Sequence, residues 1–245
     1  MDANIIEIFS SVQGEGRYVG CRQLFVRFEG CNLKCEYCDT EHEAGVHAIC
    51  QVETSPGSRT FSQAINPLEV TEVAAYINRF LQELPHQAVS FTGGEPLLHS
   101  AFLAELIPLV NAKVMLETNG TLPERLERII DMVDIISMDI KLPQVTGTDH
   151  WNAHRQFLEL SRRHGKDVYV KLVVTGDIAM EDFQKAVELV AGVDSDILLI
   201  LQPVTPVNGV EETTPEMMLE LQQMALEQLG DVRIIPQTHR MMDQL

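Results

Sequence analysis

The chain is short of positive charge. Among its 245 residues, 18 Lys and Arg stand against 36 Asp and Glu, a formal net charge of −18 at pH 7. Such a surface repels phosphate backbones, so direct binding to nucleic acid is not expected. The acidic residues are dispersed without an acidic tail and read as a well-solvated surface. Long apolar runs are missing too, and nothing approaches the ~20 residues a membrane-spanning helix needs. The opening MDANIIEIFS lacks the basic region and apolar core of a secretory signal. No internal repeat or low-complexity tract is present. Cysteine is scarce: five residues, an odd number, which speaks against a disulfide framework. These absences predict a cytoplasmic, reduced protein with neither a membrane nor a nucleic-acid partner.

The hydrophobic content of 45% suffices for one sizeable core. Short apolar runs rich in β-branched residues recur at Gln23–Phe28, Ala88–Phe91, Val114–Glu117, Ile135–Ile140, Tyr169–Val174, Ile197–Gln202 and Val232–Ile235. Several are nearly continuous, as in strands buried on both faces. Between them the spacing predicts helices. One follows Asn66-Pro67 and stops at Pro85; others cover Leu122–Met132, Trp151–Arg163 and Glu181–Val190. Thr214-Pro215-Glu216 opens another that runs to about Leu229, whose methionines read as core packing. Strand–helix alternation implies an α/β fold with a parallel sheet, closed fully or partly into a barrel; pattern alone leaves a doubly wound sheet open. One polar segment, 41–65, breaks the rhythm and carries the turn signal Ser55-Pro56-Gly57-Ser58. It reads as a hairpin insertion over the site that precedes it, or as an ordinary surface loop.

That preceding site is CNLKCEYC, with Cys31, Cys35 and Cys38 just after the first predicted strand. Three thiolates hold three irons of a cubane cluster and leave the fourth for another ligand, whereas closed clusters usually take four Cys. With His42 as a fourth donor, zinc also remains open on spacing alone. Further polar residues gather at successive strand ends. Thr92-Gly93-Gly94-Glu95-Pro96 offers backbone N–H groups and a carboxylate able to accept from an ammonium. Glu117-Thr118-Asn119-Gly120, Ser137-Met138-Asp139-Ile140-Lys141 and Gln202-Pro203-Val204-Thr205 follow. Near the start, Val12-Gln13-Gly14 begins a polar turn, and Arg27 sits inside an apolar strand, where a lone Arg usually faces solvent. His239, after the last strand, is placed to line a pocket. Cys21 and Cys50 receive no role.

Cys31-x3-Cys35-x2-Cys38 followed by Thr92-Gly93-Gly94-Glu95-Pro96 resembles the radical S-adenosylmethionine superfamily. The flanks EIFSSVQGEGRYVGCRQLFVRFEG, LETNGT, MDIKLP, LQPV and PQTHR resemble its 7-carboxy-7-deazaguanine synthase family, over essentially the whole chain. The resemblance implies a single domain, 1–245, with a modified, incomplete (β/α)6-type TIM barrel. It implies a carbon–nitrogen lyase that contracts 6-carboxy-5,6,7,8-tetrahydropterin to 7-carboxy-7-deazaguanine with loss of ammonia, in queuosine and deazapurine biosynthesis. The implied cofactors are a 4Fe-4S cluster on Cys31, Cys35 and Cys38, S-adenosylmethionine, and Mg2+ on Thr40. Val12, Gln13, Gly14, Arg27 and Thr92 match substrate contacts, which turns Arg27 inward. Tyr37, Cys38, Asp39, Gly94, Ser137, Met138, Asp139, Gln202, Pro203, Val204 and Thr205 match cofactor contacts. A homodimer and an electron donor such as flavodoxin or ferredoxin are implied as partners. The competing readings are an activase that makes a radical on a partner protein, and a non-catalytic zinc or cluster module.

Overall fold

The computed structural model describes residues 1–38, 45–206 and 209–244. In chain order the strands are β1 (Asp2–Ala3), β2 (Ile5–Val12), β3 (Arg22–Phe28), β4 (Ile49–Glu53), β5 (Phe61–Ile65), β6 (Leu68–Glu69) and β7 (Ala88–Gly93). There follow β8 (Val114–Thr118), β9 (Ile135–Asp139), β10 (Asp167–Val174), β11 (Leu199–Pro203) and β12 (Val232–Ile234). The helices are α1 (Val70–Glu83), α2 (Ser100–Leu106), α3 (Pro123–Leu126), α4 (Pro143–Thr146), α5 (Trp151–Arg163), α6 (Met180–Val193), α7 (Pro215–Leu226) and α8 (Thr238–Met241).

Ten strands form one sheet in the order β12-β11-β10-β9-β8-β7-β3-β2-β4-β5, while β1 and β6 make a separate antiparallel pair. From β3 through β12 the order follows the chain without reversal, and every neighbouring pair is parallel. A doubly wound sheet needs a point where the order reverses. Right-handed crossovers in a monotonic order put all helices on one face. The core shows this division. Leu24, Val26, Val89, Phe91, Leu116, Ile136, Val170 and Leu172 pack with helix residues such as Ile77, Phe80, Phe157, Phe183 and Leu221. The alternate positions Ala88, Met115, Ile135, Tyr169 and Ile200 pack with one another, joined by Leu198, Tyr18 and Ile235. The sheet is therefore an incomplete barrel with a helix-covered convex face and an apolar plug at the bottom of the concave one.

All seven predicted strands are present. The sequence reading passed over β2, which pairs antiparallel with β3 through Val12↔Arg22 to Glu7↔Arg27. It also passed over α2. The helix expected over Leu122–Met132 is broken: α3 ends at Leu126, and a separate 3-10 turn covers Ile130–Met132. Thr214 caps α7 as expected, accepting from the Met217 N–H at 3.2 Å. β4 and β5 pair antiparallel from Ile49↔Ile65 to Glu53↔Phe61, so the Ser55–Ser58 turn does join a hairpin. Residues 41–44 of the expected insertion lie outside the described residues. The hairpin extends the sheet edge beyond β2, and none of the residues from 45 to 65 lines the cleft described below. No helix among the described residues is long and apolar enough to cross a membrane.

Candidate active site

The barrel winding brings the C-terminal ends of β3 and β7–β11 to one rim, and a cleft opens there above the apolar plug. Period-two alternation selects what lines it. Arg27 pairs in register with Thr92, Glu117 with Ser137, Asp139 with Lys171, and Val173 with Gln202. All of these line the cleft, with the Val12–Glu15 turn and Gln237 closing it from the side.

Cys31, Cys35 and Cys38 carry no disulfide, are partly buried and border this cleft. Burial pushes the Cys31 and Cys35 thiols up, so a positive partner is required to hold them as thiolates. Among the described residues, no group of three His, Cys, Asp or Glu is gathered tightly enough for a single metal ion. A zinc ion needs its sulfur donors within ~2.3 Å of one point. A cubane cluster takes one thiolate per iron and leaves the sulfurs farther apart. Three thiols on one cleft rim fit the cluster. His42 lies outside the described residues.

The glycines of the Thr92–Pro96 segment pack against the cysteine loop. A Cβ on Gly94 would fall well inside 3.0 Å of the Gly30 carbonyl oxygen and 3.1 Å from the Cys31 nitrogen. Gly93 has φ +120, and its Cβ would collide with the Phe28 backbone. The Gly94 N–H donates to Phe28 O at 3.2 Å and the Glu95 N–H to Gly30 O at 2.8 Å. Glu95 is fully buried and does not face the cleft. Its carboxylate accepts from the backbone N–H groups of Leu97 (2.9 Å) and Asn119 (2.8 Å) and from Thr118 Oγ1 (2.9 Å). Burial raises it to about 7 against these donors. The expectation that Glu95 accepts a ligand ammonium is thus corrected: it is spent on the Thr118–Thr121 loop. That loop returns to the cysteines, with Asn119 Nδ2 donating to Asn32 Oδ1 at 2.9 Å and to Cys31 Sγ at 3.9 Å.

The opposite wall is charged. Arg27 turns into the cleft, not to bulk solvent. Its Nε donates to Glu7 at 2.7 Å, and the guanidinium lies 5.8 Å from the Phe9 ring centre. Glu117 accepts from Gln13 Nε2 (2.8 Å), Ser90 Oγ (2.7 Å) and Thr92 Oγ1 (3.1 Å). Asp139 pairs with Lys141 at 3.0 Å and Lys171 at 3.4 Å, and Lys171 also pairs with Glu15. The C-terminal segment locks onto the Val12–Glu15 turn. Gln237 Nε2 donates to Glu15 at 2.7 Å, and the Thr238 N–H to Gly14 O at 2.9 Å.

Most residues singled out from sequence meet here: Val12, Gln13, Gly14, Arg27, Tyr37, Thr92, Gly94, Ser137, Asp139, Gln202, Val204 and Thr205 line the cleft, as does His239. Two side chains do not. Met138 is fully buried on the helix side, against Gly120, because it alternates with Ser137 and Asp139. Pro203 alternates likewise with Gln202 and is absent from the lining. Asp39 and Thr40 lie outside the described residues. The sequence reading missed Glu7, Phe9, Lys171 and Gln237. Lys171 had a signal, a lone charge in the apolar run Val168–Val174.

Residues 25–190 match the model of the Radical SAM superfamily. A curated 7-carboxy-7-deazaguanine synthase of Geobacter sulfurreducens is 46% identical over 99% of this chain and 98% of its own length. One of Methanocaldococcus jannaschii is 34% identical over 98% of this chain and 100% of its own. Among solved structures, QueE from Escherichia coli matches with a TM-score of 0.60 at 22% identity, covering 98% of this chain and 95% of that one. An anSMEcpe structure with bound AdoMet matches with a TM-score of 0.58 at 18% identity, over 83% of this chain and 58% of that one.

Proposed function

The chain belongs to the 7-carboxy-7-deazaguanine synthase family of the radical SAM superfamily, and we propose that the cleft at its barrel rim carries out that family's reaction. The reaction contracts 6-carboxy-5,6,7,8-tetrahydropterin to 7-carboxy-7-deazaguanine with loss of ammonia. The observation that supports this most is the meeting, in one cleft, of three cysteines outside any disulfide with an inward-facing arginine.

Cys31, Cys35 and Cys38 would hold the 4Fe-4S cluster. With S-adenosylmethionine bound, cluster and cofactor together supply one-electron chemistry that abstracts hydrogen from carbon. The protein's own residues bind, orient and exclude water. Tyr37, Gly94, Ser137, Asp139 and Gln202–Thr205 line the cofactor half. Gln202 Oε1 is buried there with no hydrogen-bond partner, an acceptor suited to a ligand N–H or O–H. Met138 and Pro203 would contribute through backbone alone. Arg27 meets the substrate carboxylate. Its Nε is held by Glu7, which fixes the guanidinium plane and leaves the terminal nitrogens for a bidentate grip. Gln13, with Val12 and Gly14, and Thr92 frame the pterin. Both Gln13 and Thr92 are oriented by donating to Glu117.

Asp39 toward the cofactor and Thr40 toward Mg2+ complete the reading from the sequence. A neutral hydroxyl beside substrate oxygens and water suits that hard ion. A flavodoxin or ferredoxin as electron donor, a homodimer and a cytoplasmic location belong to the same proposal.

The test is anaerobic reconstitution with iron and sulfide, followed by visible absorption, metal content and pterin affinity. Four irons per chain and tight pterin binding support the reading. A colourless protein with one zinc, or one that binds no pterin, refutes it.

A further inference from the structure

Lys171 is a buried charge, 5% exposed, in the middle of β10. Its neighbours Val170 and Leu172 face the helix-side core, and alternation leaves Lys171 facing the cleft. Its ammonium touches two carboxylates on different walls. Glu15 follows the Val12–Gly14 turn on the substrate side. Asp139 ends β9 on the cofactor side, 3.4 Å away. Glu15 is further fixed by Gln237, while Asp139 has a second cation in Lys141.

We infer that Lys171 is a positioning residue for the reaction, holding Glu15 as an oriented acceptor on the substrate side of the cleft and bracing Asp139 on the cofactor side. The inference rests on the functional reading above, that the turn side of the cleft receives the pterin. A pterin presents amino and ring N–H donors, and a carboxylate on the cleft wall accepts from them. Removing the charge of Lys171 leaves both carboxylates with less compensation in a poorly hydrated place.

The charges around Glu15 give the inference a signature. Burial raises the Glu15 carboxyl, but the Lys171 charge and hydrogen bond, with help from Gln237 and His239, hold it down at about 2. Lys171 faces it from β10, and Gln237 and His239 from the C-terminal segment; the carboxylates Glu117 and Asp139, on β8 and β9, act on Lys171. Without Lys171 the positive charge beside Glu15 and its hydrogen bond are gone and burial prevails, so Glu15 takes up a proton at mildly acidic pH. Its loss as an acceptor then shows as pterin binding that weakens on acidification. His239 contributes to wild type and variant alike, so the difference between the two profiles reports Glu15.

The experiment measures anaerobic dissociation constants of reconstituted holoenzyme for 6-carboxytetrahydropterin and, separately, for S-adenosylmethionine, from about pH 6 to about pH 8.5. Wild type is compared with Lys171→Met and with Glu15→Gln/Lys171→Met. The single variant is expected to bind the pterin at least about tenfold more weakly at the acidic end and to recover toward alkaline pH. Wild type lacks that recovery. The double variant, which removes the buried charges together and so protects folding, is expected to bind weakly at every pH. For S-adenosylmethionine, where Lys141 still serves Asp139, the loss is about threefold in both variants. Wild-type pterin affinity throughout the range in Lys171→Met, or full affinity in the double variant, overturns the inference. A wild type that binds S-adenosylmethionine but no pterin refutes the functional reading instead. The cofactor measurement then decides, and unchanged S-adenosylmethionine affinity in Lys171→Met overturns the inference.

Discussion

Replacing Gly94 by Ala adds one methyl group at the point where the β7 end crosses the cysteine loop. The backbone of Gly94 is not in the left-handed region, so the change tests space alone. The new Cβ would sit well inside 3.0 Å of the Gly30 carbonyl oxygen, next to the Cys31 nitrogen. Both neighbours are backbone and neither can rotate away. The two segments must separate by about 1 Å, a displacement that costs ~10²-fold where reacting groups are positioned. Separation weakens the Gly94-to-Phe28 and Glu95-to-Gly30 hydrogen bonds, each worth about 1 kcal/mol. Overpacking adds about 1–3 kcal/mol. A total of about 2–5 kcal/mol lowers the melting temperature of a chain of this size by about 5–15 °C. The assay is calorimetry of the apoprotein together with iron content after reconstitution. Iron is expected to fall as well, since Cys31 moves with Gly30. Gly192→Ala is the control. It lies in α6, its Cβ meets only Arg155 at 3.4 Å, and alanine favours the helix by up to about 1 kcal/mol. A Gly94→Ala protein that melts like wild type and takes up full iron refutes the argument that this glycine holds the cysteine loop.

Cys35→Ala leaves two thiols on the rim; it should fail to develop the broad visible absorption of a cluster and should not cleave S-adenosylmethionine. Arg27→Ala removes a charged pair of donors and strands Glu7; pterin binding should weaken by about 10- to 100-fold, while slow cleavage of S-adenosylmethionine without pterin product continues. Unchanged pterin affinity would place the substrate carboxylate elsewhere. The apoprotein should also lose stability in acid through Glu15. Its folded-state value of about 2 lies below the ordinary 4.5, so its contribution is present above 4.5 and is lost as pH falls through about 2. The lost contribution is about 3 kcal/mol. Urea unfolding of wild type against Glu15→Gln should show a gap at pH 6 that closes toward pH 2, and a constant gap would contradict the assignment.

What could be read from sequence divides along physical lines. The seven parallel strands were legible because burial on both faces makes continuous apolar runs. β2 was not, because Ser10 and Ser11 interrupt its apolar character and because its place is set by long-range pairing with β3. The cysteine spacing pointed to the cleft rim, where all three thiols lie. The strand ends identified most of the cleft lining, since a barrel brings successive C-terminal ends together. Face was harder than location. Arg27 pointed inward against the usual expectation for a lone strand arginine, and only register explains why: it alternates with Val26 and Phe28, both buried on the helix side. Met138 failed in the opposite sense for the same reason. Glu95 and Gly94 show a different limit. Apart from the Leu97 N–H, their partners lie in segments distant in sequence, and nothing local marks a carboxylate as consumed by a neighbouring loop. Gln237 and Lys171 were missed because both act on Glu15, more than 150 residues away from each.

The central claim is that this cleft contracts a carboxylated pterin. The most direct test incubates reconstituted protein, without oxygen, with a reductant, magnesium, S-adenosylmethionine and 6-carboxytetrahydropterin, and analyses the mixture by mass spectrometry. The account predicts 7-carboxy-7-deazaguanine accumulating over many turnovers, with far less 5′-deoxyadenosine than product because the cofactor is regenerated. Cleavage of S-adenosylmethionine with no pterin-derived product would contradict it.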